Sequence, residues 1–411
     1  MLDGLRVVEL VDADQWAAAA VAQCGRILAD LGADVVKAEP PEGDPVRRVP
    51  PFVGDGADPD RGLMWIALNA NKRSVVVSRK DEKARAALLR DADVVVQPSL
   101  LVDPRVQGEG PEGQGPLFSD RRERVSERSE RERLVIVTVT PYGASGPLAE
   151  TSASDLEVTA SSGSLWLAGE PGGPPVRTTL PQSPLWTGMY AAAGALLALF
   201  ARRTTGRGQH VDVSGQQSMV TVHPPAPVFA DVAHEEHMRL GPNLLGRSIV
   251  GARFRNIWPC ADGHVSFAIQ GGPIGRHTGR MLAAWMSEKG FAAPRFRSID
   301  WDTFDNRTLS QADVDALESE VGAFLATLTK REFFDGVIAR NMLGYPVADA
   351  ADIYTDEQLR SRAFWRDVAI DGATLTFPGG FALFDGERPR IRRAPPRLGE
   401  HQREVLGRVT A

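Results

Sequence analysis

The chain has 411 residues, 43% of them hydrophobic and 24% charged, with a formal net charge of −6. This is the composition of a globular protein with a large core, and it offers no basic excess for nucleic-acid binding. Two cysteines, Cys24 and Cys260, exclude a disulfide scaffold and a thiolate metal site, and both read as inert buried thiols. Met1 to Leu10 lacks the apolar stretch of a signal peptide. The longest apolar run, Leu185 to Phe200, is broken by Thr187, Gly188 and Gly194 and is too short for a membrane span. The expected location is the cytoplasm, with no membrane partner.

Taken in order, Arg6 to Leu10 reads as a strand and Ala17 to Leu31 as a helix, with Ile27, Leu28 and Leu31 at core spacing. Gly32 ends that helix, and Asp34 to Ala38 is the next strand. A Pro- and Gly-rich loop, Pro40 to Asp60, leads to the β-branched run Ser74 to Ser78. Asp81 to Arg90 is a charged amphipathic helix and Asp93 to Gln97 a buried strand. Strand–helix–strand repetition predicts a parallel sheet with covered faces.

Residues 102–133 break the pattern with a Gly/Pro/Glu stretch and an Arg/Glu/Ser run, read as a solvated loop and charged helix. Leu134 to Thr140 resumes the sheet. Pro184 to Arg203 is apolar nearly all round and so reads as a buried helix. Gln209 to Val213 is again a strand. From His223 to Arg331 strand-like segments such as His264 to Ile269 mix with helices such as Met281 to Glu288, a change of texture that marks a second, smaller unit. The expected division is therefore 1–222, 223–331 and 332–411.

Several collinear segments resemble the class III CoA-transferases, the family of formyl-CoA transferase and carnitine CoA-transferase. They are Leu2 to Leu10, Cys24 to Glu39 continuing to Arg47, Leu68 to Ser74, Tyr142 to Pro147, Thr205 to Ser214, and Pro395 to Leu406 with Leu398-Gly399-Glu400-His401. The resemblance implies an α/β fold: a Rossmann-like large domain built from both chain ends, a smaller central α+β domain, and an interlocked dimer. It implies coenzyme A or an acyl-CoA as substrate, with no tightly bound cofactor and no metal.

A phosphorylated ligand needs cations and backbone amides. The family uses the region of Lys72-Arg73 for the nucleotide end of CoA, and the pair, just before a strand, reads as an exposed phosphate contact or an ordinary solvated basic pair. Arg47 and Arg48, after the turn Gly43-Asp44-Pro45, lie near the same site in the family. The family's nucleophile is an aspartate four residues before a helix glycine; that glycine matches Gly188, and the matching position is Pro184. No Asp or Glu occurs between Glu170 and Asp212. Ser183 has no neighbouring histidine to activate it.

A racemase branch uses an Asp eight residues before a glycine, which Asp155 and Gly163 match, but the expected histidine is missing from 124–133. Asp155 reads equally as a cap of the helix that follows it. The lid glycines of the family are reduced to Gly241, Gly246 and Gly251. His234 and His237 read as a solvated surface rather than a metal site. Trp166, Trp186 and Trp258 read as acyl-pocket lining or as core. Three functions stay open: the aspartate-free subunit of a heteromeric CoA-transferase, as in the benzylsuccinate CoA-transferase branch, paired with an Asp-containing paralogue; a stand-alone racemase- or isomerase-like enzyme; and a non-catalytic acyl-CoA-binding protein.

Overall fold

The structure, a computed structural model, describes residues 1–11, 14–99, 132–223, 225–234, 238–244, 250–370 and 372–407. The charged run 102–133, Gly246 and His237 lie largely or wholly outside these residues. The described chain divides into two compact units: 1–165, 177–236 and 359–411 form the first, and 166–176 with 237–358 form the second.

The first unit holds a parallel sheet of β1 (Arg6–Leu10), β2 (Asp34–Glu39), β3 (Lys72–Val76), β4 (Val94–Gln97), β5 (Val135–Thr140) and β6 (His210–Ser214), in the order β3-β2-β1-β4-β5-β6. That order reverses between β1 and β4, the arrangement of a doubly wound sheet, whose ligand crevice lies outside the carboxyl ends of the strands at the reversal. Both faces are apolar. Val7, Val35, Val94, Val96, Val135 and Val137 face helices α1 (Gln15–Asp30) and α5 (Ser183–Thr205). Val8, Val36, Val75, Val95 and Ile136 face Leu88 of α3 (Glu82–Arg90) and Val405 and Leu406 near the C-terminus. The remaining large-unit helices used below are α2 (Leu63–Asn69), between β2 and β3, and α4 (Asp155–Ser161), between β5 and α5.

Helices α1 and α5 pack so closely that a methyl at Gly188 would fall 2.5 Å from both the Ala20 carbonyl oxygen and Gln23 Cβ. Gly188 therefore sets the crossing of the two helices. Helix α5 is long and apolar enough to cross a membrane by length and composition, but 44% of its apolar window is buried in this fold. Its Ala191, Ala195 and Ala198 are core. The expectation of a helix buried all round is corrected on its other side: Leu197 and Phe200 are each 70% exposed, with Trp186, Met189 and Tyr190 exposed along the same stripe. No described part of the first unit covers that face.

The tail closes the sheet edge. The Asn71 side chain donates to the Arg390 carbonyl at 3.1 Å and its oxygen accepts the Arg392 and Arg393 amides at 2.5 and 3.1 Å. Gly399 N donates to Ser74 Oγ at 3.0 Å, His401 N to the Ser74 carbonyl at 2.9 Å, and Gln402 bonds both backbone groups of Val76. Strand β3 is an edge strand, and this return segment satisfies polar groups that an open edge would expose.

The second unit holds a three-stranded antiparallel sheet of β7 (Ile257–Cys260), β8 (Gly263–Ser266) and β9 (Tyr345–Pro346), with β8 in the centre paired to both others. Helices α6 (Gly272–Glu288), α7 (Gln311–Leu325) and α8 (Lys330–Ala339) surround a core of Trp258, Trp285, Phe296, Trp301, Phe324 and Phe333. The expected boundary at 331 is thus too early. Phe333 and Val337 of α8 are committed to this core, and β9 pairs within it, so the unit runs on to 358. It also takes in 166–176, a loop fixed by Arg239, which stacks on Trp166 at 4.4 Å and donates to the Gly173 and Trp166 carbonyls. Trp258 is core, whereas Trp166 and Trp186 are exposed. Cys24 is buried; Cys260 is half-buried beside Asp262, a correction to its reading as a buried thiol.

The C-terminal part of the first unit also carries a hairpin, β10 (Trp365–Ile370) with β11 (Ala373–Pro378), antiparallel over its full length and followed by the return segment.

Candidate active site at the head of a long helix

The carboxyl ends of β1, β5 and β6 meet around Trp16, and a methyl at Gly215 would fall 2.5 Å from its ring and 3.1 Å from the Pro141 carbonyl oxygen; Trp16 joins two residues distant in sequence. Trp16 lies in the first turn of α1, just after β1. Its indole Nε1 donates to Ser183 Oγ at 2.8 Å, and Ser183 Oγ donates to Asp155 Oδ1 at 2.8 Å. The same Asp155 oxygen accepts the Gln182 and Ser183 amides at 3.0 and 2.8 Å. Gln182 itself makes no side-chain cap of α5, so Asp155 supplies the acceptor that the orphan amides of a helix start require. Its own helix α4 is capped by Ser154 in a capping box with Glu157. The expectation that Asp155 caps the helix it opens is therefore corrected: it caps α5 instead.

Pro184 follows in the first turn of α5, buried, where its missing N–H is no loss. Ser183 is also fully buried, and Thr187 Oγ1 donates back to the Ser183 carbonyl at 2.6 Å. Chemically, this head of α5 offers no free nucleophile. Proline has no reactive side chain, and the serine hydroxyl is enclosed between an indole donor and a carboxylate acceptor.

The predicted cations lie elsewhere, and two of them are enclosed. Lys72 is not an exposed phosphate contact: its side chain is wholly buried, with Nζ 2.6 Å from Glu9 and donating to the Ala22 carbonyl at 2.7 Å. Lys37 Nζ bridges Glu9 at 2.8 Å and Asp44 at 2.7 Å. Arg47 is likewise buried, donating to both oxygens of Glu39 at 2.6 and 2.7 Å, paired with Asp60, and stacked 3.5 Å from the Trp65 ring of α2. Glu9, Lys37, Glu39, Asp44, Arg47 and Lys72 thus form a buried network of three carboxylates and three cations.

Burial lowers the Lys72 pKa to about 8 despite the opposing pull of Glu9. For Lys37 burial also favours the neutral amine, but Asp44, Glu9 and Glu39 together outweigh it and raise its pKa. Gly25 makes room for this network, since a methyl there would fall 1.6 Å from Glu9 Oε1. Lys37, Glu39, Asp44 and Arg47 of the block Cys24–Arg47, and Lys72 of Leu68–Ser74, are thus engaged in this internal network.

Arg73 is mostly buried against the tail, paired with Asp34 and with Glu404 at 2.9 Å. Arg48 is exposed and donates to the Glu42 carbonyl at 2.9 Å. Among the described residues no group of His, Cys, Asp and Glu is placed to hold a metal. Trp16 was invisible in the sequence because its partner lies 167 residues away.

A profile of CoA-transferase family III matches residues 2–109 and 121–402. The chain belongs to this family. The CoA-transferase chain is 33% identical over 391 residues to succinyl-CoA:(R)-benzylsuccinate CoA-transferase subunit BbsE of Thauera aromatica, covering 93% of this chain and 89% of that one. It is 27% identical to the succinate–glutarate CoA-transferase of Agrobacterium fabrum, over 99% and 95% of the two chains. A CAIB/BAIF family protein from Brucella suis has the same fold, with a TM-score of 0.75 at 23% identity over 98% of this CoA-transferase chain and 99% of its own.

Proposed function

We propose that this chain is the aspartate-free subunit of a heteromeric CoA-transferase that moves CoA between carboxylic acids. The observation that carries this reading is Pro184, held in the first turn of α5 while the one carboxylate nearby, Asp155, is engaged by three donors. A carboxylate whose lone pairs cap a helix is poorly placed to attack a thioester or to move a proton, which disfavours the racemase-like alternative. The likeness to a named subunit of a CoA-transferase supports the same reading. Coenzyme A or an acyl-CoA is then a substrate, with no tightly bound cofactor.

The partner is a second chain of the same family that bears the aspartate. The exposed stripe Trp186, Met189, Tyr190, Leu197 and Phe200 on α5 favours an interlocked dimer in which a second chain covers it. The complex works in the cytoplasm. The test is co-expression with an Asp-bearing paralogue, followed by assay of succinyl-CoA-dependent transfer to an acceptor acid. The mixed dimer transfers CoA and this chain alone does not; robust transfer by the lone chain would reject the reading.

A further inference from the structure

The return segment of the first unit holds an unbalanced group of arginines. Arg388 is only 8% exposed, and its Nε is buried with no hydrogen-bond partner. Its Nη1 donates to the Gly380 carbonyl and its Nη2 to the Arg362 carbonyl at 3.3 Å. Arg366 lies alongside: a methyl at Gly379 would sit 3.1 Å from Arg388 Cδ and 3.2 Å from Arg366 Cγ.

Among the described residues no carboxylate pairs with Arg362, Arg366 or Arg388. The acid next to Arg366 on β10, Asp367, points to the other face of the hairpin and accepts from Thr376 Oγ1 at 2.7 Å. Glu387 lies 4.0 Å from Arg390 instead. Arg388, with Arg390 and Arg392 but without Arg362 or Arg366, also lines a cleft of about 390 Å³. Its acids are already engaged, Asp3 by the Met1 amino group, Asp30 by Arg26 and Asn71, and Glu387 by Arg390.

A buried cation without a counter-ion is unfavourable, and carbonyl acceptors neutralise only part of its charge. We propose that Arg362, Arg366 and Arg388 form a binding site for a phosphate-class anion. Guanidinium forks match tetrahedral oxyanions through paired N–H···O bonds, and a dianionic phosphate or pyrophosphate balances three positive charges better than a single carboxylate does. Burial, followed by the charges of Arg362 and Arg366, pushes the Arg388 pKa down, and no acid opposes them. The anion comes either from free phosphate or pyrophosphate, or from the phosphates of CoA; the second source alone rests on the proposed function.

The test is calorimetric titration of the full chain with pyrophosphate, CoA and pantetheine, at low salt, for wild type and Arg362→Gln/Arg366→Gln. Both substituted side chains are exposed or half-exposed, so the fold is retained, and Arg388→Lys serves as a charge-conserving control. Pyrophosphate should saturate the wild type and bind the double variant at least tenfold more weakly. A matching loss for CoA with no change for pantetheine assigns the anion to CoA. A loss for pyrophosphate alone assigns a free-anion site, which stands even if the chain binds no CoA. If neither pyrophosphate nor CoA distinguishes wild type from the double variant, the site is overturned.

Discussion

Asp155 and Ser183 lie 28 residues apart, yet one oxygen of the first accepts both the amide and the hydroxyl proton of the second, each at 2.8 Å. This bond ties the loop after β5 to the head of α5 and, through Ser183 Oγ, to Trp16 at the head of α1. The head of α5 is thereby built as a structural joint.

Asp155→Ala should therefore act on stability. It leaves three donors without their acceptor, a loss of about 1–3 kcal/mol. Asp155→Asn keeps an oxygen at the same place and should recover more than half of that. Urea unfolding of the two variants checks the order. A structural role requires Asn to rescue, whereas a proton-transferring base would leave both variants folded normally and equally unable to exchange the α-proton of an acyl-CoA.

Lys72→Met should unfold the chain more readily rather than weaken CoA selectively. Removing one partner of a buried ion network leaves the other uncompensated, typically a loss of about 3–5 kcal/mol. The pH dependence has a definite sign. The folded Lys72 releases its proton near pH 8 and the unfolded lysine near 10.5. Between these values the unfolded state holds more protons, so the contribution of Lys72 to stability rises with pH. The stability gap between wild type and Lys72→Met should widen between pH 8 and 10, by on the order of 1–2 kcal/mol. Denaturant midpoints at the two pH values read this directly, and a gap that narrows would show that Lys72 is not the group with the depressed pKa.

The sheet was legible because its strands are Val-rich runs, three of them followed by proline, and Arg6–Leu10 was placed at both ends. What local pattern cannot show is which distant partner claims a polar side chain. Lys72 and Arg47 look like surface cations in sequence, and become interior because Glu9, on β1 one strand beyond β2, and Glu39, at the end of β2, pair with them inside the fold. Asp155 matched a helix start correctly, but its acceptor was claimed by a helix 28 residues on. The exposed stripe of α5 misled for the opposite reason: apolar on all sides means covered, and within the first unit only one side is.

Asn71→Ala should loosen the tail selectively. Asn71 sits at φ 67°, where asparagine is tolerated better than alanine, and its side chain holds the backbone at Arg390, Arg392 and Arg393. Hydrogen exchange at 390–406 should speed up by at least tenfold while α5 and β5 keep their protection. Equal loosening of the whole first unit would show that the tail and sheet unfold together.

Gly188→Ala tests the crossing of α1 and α5. The added methyl meets the Ala20 carbonyl at 2.5 Å, backbone that cannot rotate away, so the helices must separate. A destabilisation of about 1–3 kcal/mol is expected, against the small gain that alanine gives in an unconstrained helix. Thermal unfolding checks it, and an unchanged midpoint would mean that the crossing is looser than described.

The last prediction tests the proposed function by placing a carboxylate at Pro184. Pro184→Asp places a carboxylate in the first turn of α5, where the helix dipole favours a negative charge. One residue earlier, however, the Ser183 amide is already bound to Asp155, and a second carboxylate so close would be repelled by the first. Pro184 is also buried, so the new side chain must leave its place and reshape the turn before it can meet a thioester. The single variant is therefore expected to form little or no acyl-enzyme with succinyl-CoA. Pro184→Asp combined with Asp155→Asn removes the repulsion while keeping a cap, and should form more adduct than either change alone. Hydroxylamine trapping with intact-mass analysis reads each case. Efficient adduct formation by Pro184→Asp alone would show that the joint between Asp155 and Ser183 does not keep a carboxylate from working here.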